Sequence, residues 1–227
     1  NTVGRLQTLF PSHQTDVIIG SLLGDARLEC RSVGIRYPVS ARLRVHHSEK
    51  QRDYVFWKYD QLKDLVLKEP RRIMVSYDRR RNRRHYSWYF HTKTLEEFGP
   101  LHRYFYNGNV KVFPEDIWRF LTPRAVAAWF MDDGSNTKES YTINTHCFSI
   151  DEQRKIVNGL KQKFDIHATL MKDRDKFKIR IGRYEYIKFN AIVQPYVIPS
   201  MIYKICNPRN DLSMLSTRQI QQASLAV

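Results

Sequence analysis

The chain has 227 residues and carries 38 Lys and Arg against 23 Asp and Glu, which gives a formal net charge of +15. With 42% hydrophobic and 13% aromatic residues, it is too apolar to be a disordered basic tail. No stretch approaches the roughly 18 consecutive apolar residues of a membrane helix, and no signal peptide is evident. The charge excess indicates a polyanionic partner: nucleic acid first, with an acidic membrane surface or an acidic protein as alternatives.

The cysteines give a weaker indication. Cys30, Cys147 and Cys206 are odd in number and far apart, and they form neither a C-x-x-C pair nor a zinc-binding pattern. This usage indicates a reducing compartment. The sequence leaves open which intracellular location that is: an organelle such as a mitochondrion or chloroplast, or a bacterial cytoplasm.

Two apolar stretches that end in an acid organise the chain. Residues 16–25 end at Asp25, and residues 122–134 end with Asp133 followed by glycine. Both have the length and composition of a short helix. The two acids lie 108 positions apart, about half the chain.

The similarity between the halves continues after each acid. Strand-like alternation comes next, then a charged helix (48–68 and 149–164), more strands, and an aromatic-rich helix (94–106 and 184–194). We interpret the chain as two copies of one α+β unit rather than as a chance similarity of two mixed segments.

This duplication sets the predicted domain boundaries. Residues 1–117 form the first repeat, residues 118–207 the second, and residues 208–227 a tail that is expected to form a short helix. The apolar helix of the second repeat is expected to start at an N-cap, Thr122, with proline next. Gly134 is expected to end that helix in a left-handed conformation.

Several predicted strands alternate an apolar face with a basic or hydrogen-bonding face, chiefly in residues 36–46, 85–91 and 176–181. A solvent-facing side would interleave acids, so these cationic faces are expected to contact a ligand. A two-stranded ribbon fits the DNA major groove, and an arginine-rich hairpin tip would hold phosphates. The predicted DNA-binding residues are Arg36, Ser40, Arg42, Arg44, His46, Arg72, Arg79, Arg80, Arg81, Arg83, Arg84, His85, Ser87, His91, Asn144, His146, His167, Lys176, Lys178 and Arg180.

The two apolar helices carry small residues on one face. Gly20 and Gly24 are four positions apart, and Ala125 and Ala128 supply small residues in the second helix. We therefore expect the helices to pack on each other at a pseudo-twofold axis, which places their terminal acids side by side. Two carboxylates at helix C-terminal ends repel each other unless a divalent cation such as Mg²⁺ lies between them. Beside a polyanion, that arrangement predicts metal-assisted phosphodiester hydrolysis.

Residues 18–26 and 126–134 resemble the two copies of the LAGLIDADG motif, and the blocks 129–134 and 198–204 add specificity. From about residue 16 to residue 207, the chain resembles a monomeric two-repeat LAGLIDADG homing endonuclease. The resemblance implies αββαββα repeats, a central interface of the two motif helices, and two saddle-shaped antiparallel sheets that straddle double-stranded DNA. It also implies Mg²⁺-dependent cleavage of both strands across the minor groove, leaving short 3′ overhangs.

The resemblance also implies residue roles. Lysines near the scissile phosphates would polarise the water network or stabilise developing negative charge. The residues concerned are the metal-binding and catalytic acids Asp25 and Asp133, the carbonyl ligands Gly24 and Asp132, and the catalytic lysines Lys111 and Lys204. The sequence departs from the family pattern at Leu23, where an acid is common, at Ala26, where glycine is common, and at Asp132, where a small residue is usual.

The alternative function is a non-cleaving relative: an RNA maturase with intron RNA as its partner, or a DNA-binding protein. Such a relative would keep the basic strand faces but need not keep both acids, so the acids favour the enzyme. A transcription regulator would need an added helix-turn-helix module, for which no room is evident. Other nuclease classes fit less well: His46-His47 lack the remaining ligands of an HNH site, and residues 173–176 are expected to form a charged hairpin turn.

Overall fold

The computed structural model describes residues 2–30, 38–137 and 140–205. Arg36, one of the predicted DNA-binding residues, lies outside these ranges, as does the tail of residues 208–227 with its expected helix. Within the described residues, no helix has both the length and the apolar character that crossing a bilayer requires.

Two repeats of the order αββαββα follow a first helix, α1 (Thr2–Leu9). The first repeat contains α2 (Ser12–Leu23), β1 (Arg27–Glu29), β2 (Arg42–Ser48), α3 (Arg52–Gln61), β3 (Arg71–Asp78), β4 (Arg83–His91) and α4 (Phe98–Phe105). The hairpin β5 (Tyr106–Asn107) and β6 (Val110–Lys111) and a 3-10 turn (Ile117–Arg119) lead to the second repeat. That repeat contains α5 (Pro123–Asp133), β7 (Gly134–Asn136), β8 (Ser140–Ile143), α6 (Ile150–Phe164), β9 (Ala168–Asp173), β10 (Lys176–Gly182) and α7 (Tyr186–Val193). The predicted α+β class and the duplicated element order are confirmed.

Each repeat contains a four-stranded antiparallel sheet with the same strand order, β1-β2-β4-β3 in the first and β7-β8-β10-β9 in the second. Helix α3 packs on β2 and β4, and α6 packs on β9 and β10. The covered faces carry the apolar side chains that the alternation predicted, because Leu43, Val45, Ile179 and Ile181 are buried. The opposite face of each sheet is left for the basic residues.

Helices α2 and α5 pack against each other at the centre of the molecule. A Cβ added to Gly20 would lie 2.3 Å from the carbonyl oxygen of Ala125 and 2.7 Å from the Cβ of Ala128. Only glycine allows this close approach of two helix backbones. The predicted packing of the two motif helices through small residues is confirmed.

Gly20→Ala is expected to lower the free energy of unfolding by about 1–3 kcal/mol, because the new methyl group overlaps backbone atoms that cannot rotate away. Gly182→Ala is the matched control, since nothing lies within 4 Å of a Cβ at that position. Urea unfolding of the two variants measures the difference. Equal stability of both would contradict the close approach of the central helices.

Two predicted helices of the first repeat are shorter than expected. Helix α3 ends at Gln61, because Val66 forms an isolated antiparallel bridge to the chain just after β4. Helix α4 begins only at Phe98, because Leu95 forms a similar bridge with Ala41. In both places a long-range backbone pair ends a helix that the local sequence would allow.

The ends of α5 show one correct and one wrong prediction. The hydroxyl of Thr122 accepts a hydrogen bond from the Ala125 amide at 3.1 Å, as expected for an N-cap. Gly134 is not left-handed, since its φ of −75° and ψ of 148° are extended. It starts β7 opposite Ile143, and a Cβ there would lie 2.3 Å from the ring of Phe130. Close packing, rather than a positive φ, explains the glycine.

Candidate active site and nucleic-acid interface

The two motif acids meet at the C-terminal ends of the central helices. Asp133 is the last residue of α5, and Asp25 follows α2 after a single glycine. Both acids line one open cleft of about 530 Å³, together with Asp132 and Lys204. The structure therefore brings the predicted acids to one place, as the packing of the two helices requires.

These carboxylates are poorly placed to carry negative charge alone. Burial, followed by the neighbouring charges of Asp25 and Asp132, raises the pKa of Asp133 to about 8. Burial and the Asp132 carboxylate also raise the pKa of Asp25. The Asp25 carboxylate thus destabilises the ionised form of Asp133, and the Asp132 carboxylate destabilises the ionised forms of both. A divalent cation between Asp25 and Asp133 would relieve that repulsion.

Both predicted lysines contact the ends of the motif helices. Lys111, on β6, donates to the carbonyl oxygen of Gly24 at 2.7 Å. Lys204, at the end of a 3-10 turn (Pro199–Lys204), donates to the carbonyl oxygen of Asp132 at 2.9 Å. Burial lowers the pKa of both lysines. The structure therefore places the two lysines at equivalent positions, one beside each acid.

The oxygen groups at this cleft fit Mg²⁺, which takes carboxylate and carbonyl ligands and keeps several waters. A second group of potential ligands exists, in which Asp25, His47 and Asp132 each offer one atom within 4.8 Å of the others. The ammonium of Lys58 lies 2.6 Å from Asp132 Oδ1, so a protein cation already neutralises that carboxylate. The carbonyl oxygens of Gly24 and Asp132 accept from Lys111 and Lys204, but each keeps a second lone pair. The carboxylates of Asp25 and Asp133, with these carbonyl oxygens, form the candidate cation site.

The side chain of Asp132 makes hydrogen bonds that the sequence did not predict. Its Oδ2 accepts from the Asp25 amide at 3.1 Å, and its Oδ1 accepts from Lys58. Although burial opposes the change, the Lys58 ammonium lowers the pKa of this carboxyl overall. A Cβ at Gly24 would lie 2.5 Å from the Asp132 Cβ, so the first repeat leaves room for the larger residue.

The imidazole of His47 lies between the Lys58–Asp132 ion pair and Asp25. Burial and the Lys58 charge lower the pKa of His47 to about 3, so the ring is neutral at neutral pH. The hydroxyl of Tyr54, on the same helix as Lys58, donates to the carbonyl oxygen of Ala128 at 3.0 Å. Side chains of the first repeat therefore surround the end of the second repeat's helix α5.

The raised pKa of Asp133 predicts a stability change. The folded metal-free protein keeps the Asp133 proton up to about pH 8, whereas the unfolded chain releases it near 3.8. The folded state binds more protons in that interval, so the free energy of unfolding falls as pH rises from about 4 to 8. Asp133→Asn removes this loss. In EDTA, its melting temperature should exceed that of the unsubstituted protein by at least about 2–4 °C at pH 8.5, and by less at pH 5.

A basic face covers one side of the first sheet. Residues opposite each other on paired strands share a face, and Arg44 pairs with both His91 and Arg27, whereas Arg42 pairs with Glu29. Arg42, Arg44, His46 and His91 were predicted from sequence alternation, and the structure brings them together. Ser40 lies just before β2 and is half-buried, and Ser87 is buried on the same side of β4.

Glu29 lies in the middle of these cations and was not singled out in the sequence. It forms ion pairs with Arg27, Arg42 and Arg44 at 2.8–3.2 Å, and lies 3.3 Å from the His91 ring. Although burial opposes the change, the arginine contacts lower its pKa to about 2. This carboxylate holds three guanidinium groups in one layer.

Strand register separates two neighbouring arginines. Arg71 pairs with Tyr89 and shares the basic face, although it was absent from the predicted set. Arg72 pairs with Trp88 on the opposite face, where its guanidinium bonds Glu49 at 2.9 Å. The structure therefore places Arg72 on the face opposite Arg42, Arg44, His46 and His91.

The arginine-rich tip forms the predicted hairpin turn between β3 and β4. Asp78 Oδ1 accepts from the amides of Arg80 and Arg81 at 3.0 and 3.2 Å, so the turn is built around one carboxylate. Strand alternation places Arg83 and His85 on the basic face and Arg84 on the opposite one. Every residue from 79 to 85, including Arg79, is exposed.

The second sheet has a smaller basic face. Lys176, Lys178 and Arg180 alternate with residues that are buried or partly buried, as predicted. Asn144 is exposed just after β8. Lys178 Nζ lies 3.0 Å from Asp173 Oδ2 in the charged hairpin turn that was expected there.

Two histidines lie outside the strands of the second sheet. His146 follows β8, and its Nε2 lies 3.3 Å from the Asp173 carboxylate. His167 precedes β9 and lies 3.6 Å from Asp165, at the end of α6. His146 is therefore beside the basic face, and His167 is at its margin.

The fold and the site define a class: one chain with two αββαββα repeats whose central helices bring two acids together beside basic sheet faces. The model of the LAGLIDADG DNA endonuclease family matches residues 15–189, and the chain belongs to this family.

Individual relatives agree with this assignment. The chain is 33% identical over 210 residues to DNA endonuclease I-ChuI of Chlamydomonas applanata, covering 85% of this chain and 94% of that protein. It is 28% identical over 202 residues to cytochrome b mRNA maturase bI2 of Saccharomyces cerevisiae, with 84% of this chain and 47% of the relative covered. A solved structure of the homing endonuclease I-WcaI bound to its DNA recognition sequence superposes with a TM-score of 0.76 at 25% identity, covering 86% of each chain.

Proposed function

We propose that this chain is a monomeric, site-specific homing endonuclease. It binds a long double-stranded DNA target with its two sheets and hydrolyses one phosphodiester in each strand across the minor groove, leaving short 3′ overhangs. The observation that carries the proposal is the meeting of Asp25 and Asp133 in one cleft between the two repeats. A binding protein gains nothing from two adjacent carboxylates next to a polyanion, since they repel it.

Mg²⁺ is the cofactor of this proposal. Asp25 and Asp133 would hold it, with the carbonyl oxygens of Gly24 and Asp132 as further ligands. When bound, the ion supplies an activated water and stabilises the leaving oxygen.

The lysines would act on the same centre from each repeat. Lys111 and Lys204 are mostly buried, and burial lowers their pKa values, so each holds a proton that is released more readily than that of an exposed lysine. An ammonium at this place stabilises negative charge that develops on a phosphate. The two lysines would thus provide one ammonium group for each of the two DNA strands.

The basic sheet faces would supply affinity and sequence readout. Arginines of the exposed hairpin tip suit phosphate contacts, whereas Arg44 and Arg180, in central strands, suit the edges of bases in the major groove. The Arg44 guanidinium is fixed by Glu29, so less conformational entropy is lost when it binds a base.

A library of long randomised duplexes tests the proposal. The full chain is incubated with the library in Mg²⁺, and the cut ends are sequenced. We expect one extended target with cuts in both strands offset toward 3′ overhangs, and no products in EDTA. No cleavage in either Mg²⁺ or Mn²⁺ would overturn the nuclease proposal.

The maturase relative favours a second candidate, assistance of intron splicing. The same basic faces could bind a folded RNA through its phosphates. Splicing of a self-splicing intron transcript, measured with and without the protein, tests this candidate. Stimulated splicing by a protein that leaves every duplex uncut would favour the maturase over the nuclease.

A further inference from the structure

Three buried side chains form a group at the interface of the repeats: Lys58 and His47 from the first repeat and Asp132 from the second. The side chains of Lys58 and Asp132 are fully buried, and that of His47 is 1% exposed. We call this group the interface triad. It lies directly behind Asp25, whose amide also donates to Asp132.

Hydrogen-bonding rules determine which nitrogen of His47 carries its proton. The Lys58 ammonium is a donor only, and its Nζ lies 3.2 Å from His47 Nε2. Nε2 must therefore accept, which leaves the proton of the neutral ring on Nδ1. His47 Nδ1 lies 3.5 Å from Asp25 Oδ2, so the N–H is presented to that carboxylate. A shift of about 0.5 Å would complete a hydrogen bond.

Among the described residues of the second repeat, the position that corresponds to His47 makes no equivalent contact. Arg27 and Ser135 are each two positions after the motif acid, and they pair with Arg44 and Thr142 respectively. Counting three residues on from Arg44 and from Thr142 places Thr145, which lies two residues past the end of β8, at the position of His47. The Thr145 hydroxyl donates to Gln153 of its own repeat at 3.0 Å.

We infer that Lys58 fixes the tautomer of His47 and that His47 positions the carboxylate of Asp25, which makes both of them positioning residues for one half of the cleavage centre. The inference rests on the proposed function only in that Asp25 serves cleavage. Partners of metal-binding groups that set their orientation typically contribute 10- to 100-fold to metal affinity or activity. Because the contacts from Lys58 through His47 reach Asp25 and not Asp133, their loss should slow the cut of one DNA strand more than that of the other.

The tautomer is tested without DNA or metal. Nitrogen-15 NMR of the full chain labelled at histidine shows which ring nitrogen of each histidine is protonated, and His47→Asn assigns the His47 signals by their loss. We expect protonated Nδ1 and unprotonated Nε2 at neutral pH. The opposite tautomer, or a doubly protonated ring, would overturn the inference whether or not the protein cuts DNA.

Two isosteric variants test the positioning role. The asparagine amide nitrogen occupies the place of Nδ1, whereas the glutamine amide nitrogen occupies that of Nε2. With strands labelled separately, His47→Gln should slow one strand by about 10- to 100-fold, and His47→Asn should slow it about tenfold less. The calcium affinity of each protein–DNA complex, measured by calorimetry, should fall in the same order.

Several outcomes would reject the proposed positioning of Asp25 by His47. Equal slowing of both strands, or equal effects of His47→Asn and His47→Gln, would show that His47 is a structural residue only. Urea unfolding of both variants accompanies the kinetics, so that a loss of folding is recognised. A protein that cuts no DNA but shows the Nδ1–H tautomer would reject the nuclease proposal and leave the ordering of His47 by Lys58 intact.

Discussion

Asp25→Asn and Asp133→Asn are each expected to lower the rate of double-strand cleavage at least about a thousandfold, which corresponds to about 4 kcal/mol of barrier. Each substitution removes one negative charge from the oxygen groups that would hold the divalent cation. Asn keeps the shape of the side chain, and therefore the packing of the central helices. Single-turnover cleavage of the selected duplex, with each strand labelled, measures the effect.

Binding separates this prediction from a general loss of function. Both variants should keep their affinity for the duplex in EDTA, because neither substitution adds a negative charge beside the phosphates, and Asp133 of the metal-free protein is already protonated near neutral pH. Asp151→Asn is the matched control, since Asp151 is an exposed acid on α6 that pairs with Arg154 at 2.7 Å. It should cleave at the unsubstituted rate. An Asp25 or Asp133 variant that retains more than about a tenth of the rate would remove the acids from the mechanism.

Lys58→Met is expected to lower the free energy of unfolding by about 3–5 kcal/mol, the largest stability effect that we predict. Methionine fills a similar volume, but the buried carboxylate of Asp132 then loses its cation at 2.6 Å. An unpaired buried charge costs far more than the pair contributes. Urea unfolding at pH 7 measures the loss.

The double variant Lys58→Met with Asp132→Asn should recover at least half of that loss. Asparagine keeps an acceptor for the Asp25 amide but leaves no charge to neutralise. Lys155→Met supplies a comparison, since Lys155 pairs with Glu115 at 3.1 Å on the surface and should cost below about 1 kcal/mol. Additive losses in the double variant would mean that packing, rather than the ion pair, makes Lys58 important.

The features that the sequence predicted well are those encoded by neighbouring residues. The motif helices follow from apolar stretches that end in an acid, and the N-cap at Thr122 follows from local chemistry. The basic faces around Arg44 and Lys178 follow from a period of two residues. Duplication added independent support, because every element of one repeat had a counterpart in the other.

The features that the sequence missed depend on long-range contacts. Lys58 lies in a charged segment, where lysine is usually exposed, and it is buried only because α3 packs beside the end of α5. The register of β3 against β4 decides that Arg71, opposite Tyr89, shares the basic face and that Arg72 does not. The same pairing contains an irregularity between Met74 and Ser76. Neither contact leaves a periodic signal in the chain.

Asp132 shows how a departure from a family pattern can be explained. A small residue is usual at this position, and an aspartate there looks unfavourable when the sequence is considered alone. In the structure, Gly24, just after the end of α2, provides the space, and Lys58 provides the charge. The three residues lie far apart in sequence, so only the fold reveals that they compensate one another.

Because Gly24 and Lys58 of the first repeat compensate for Asp132 of the second, the two repeats can no longer replace each other. A symmetric dimer of the second repeat would bring two copies of Asp132 together without Gly24 to make room or Lys58 to neutralise them. A symmetric dimer of the first repeat would bury two copies of Lys58 without an acid to face. The two copies of the ancestral unit have thus become mutually dependent, and chimeras that recombine this chain with a relative must transfer Gly24, Lys58 and Asp132 as one set.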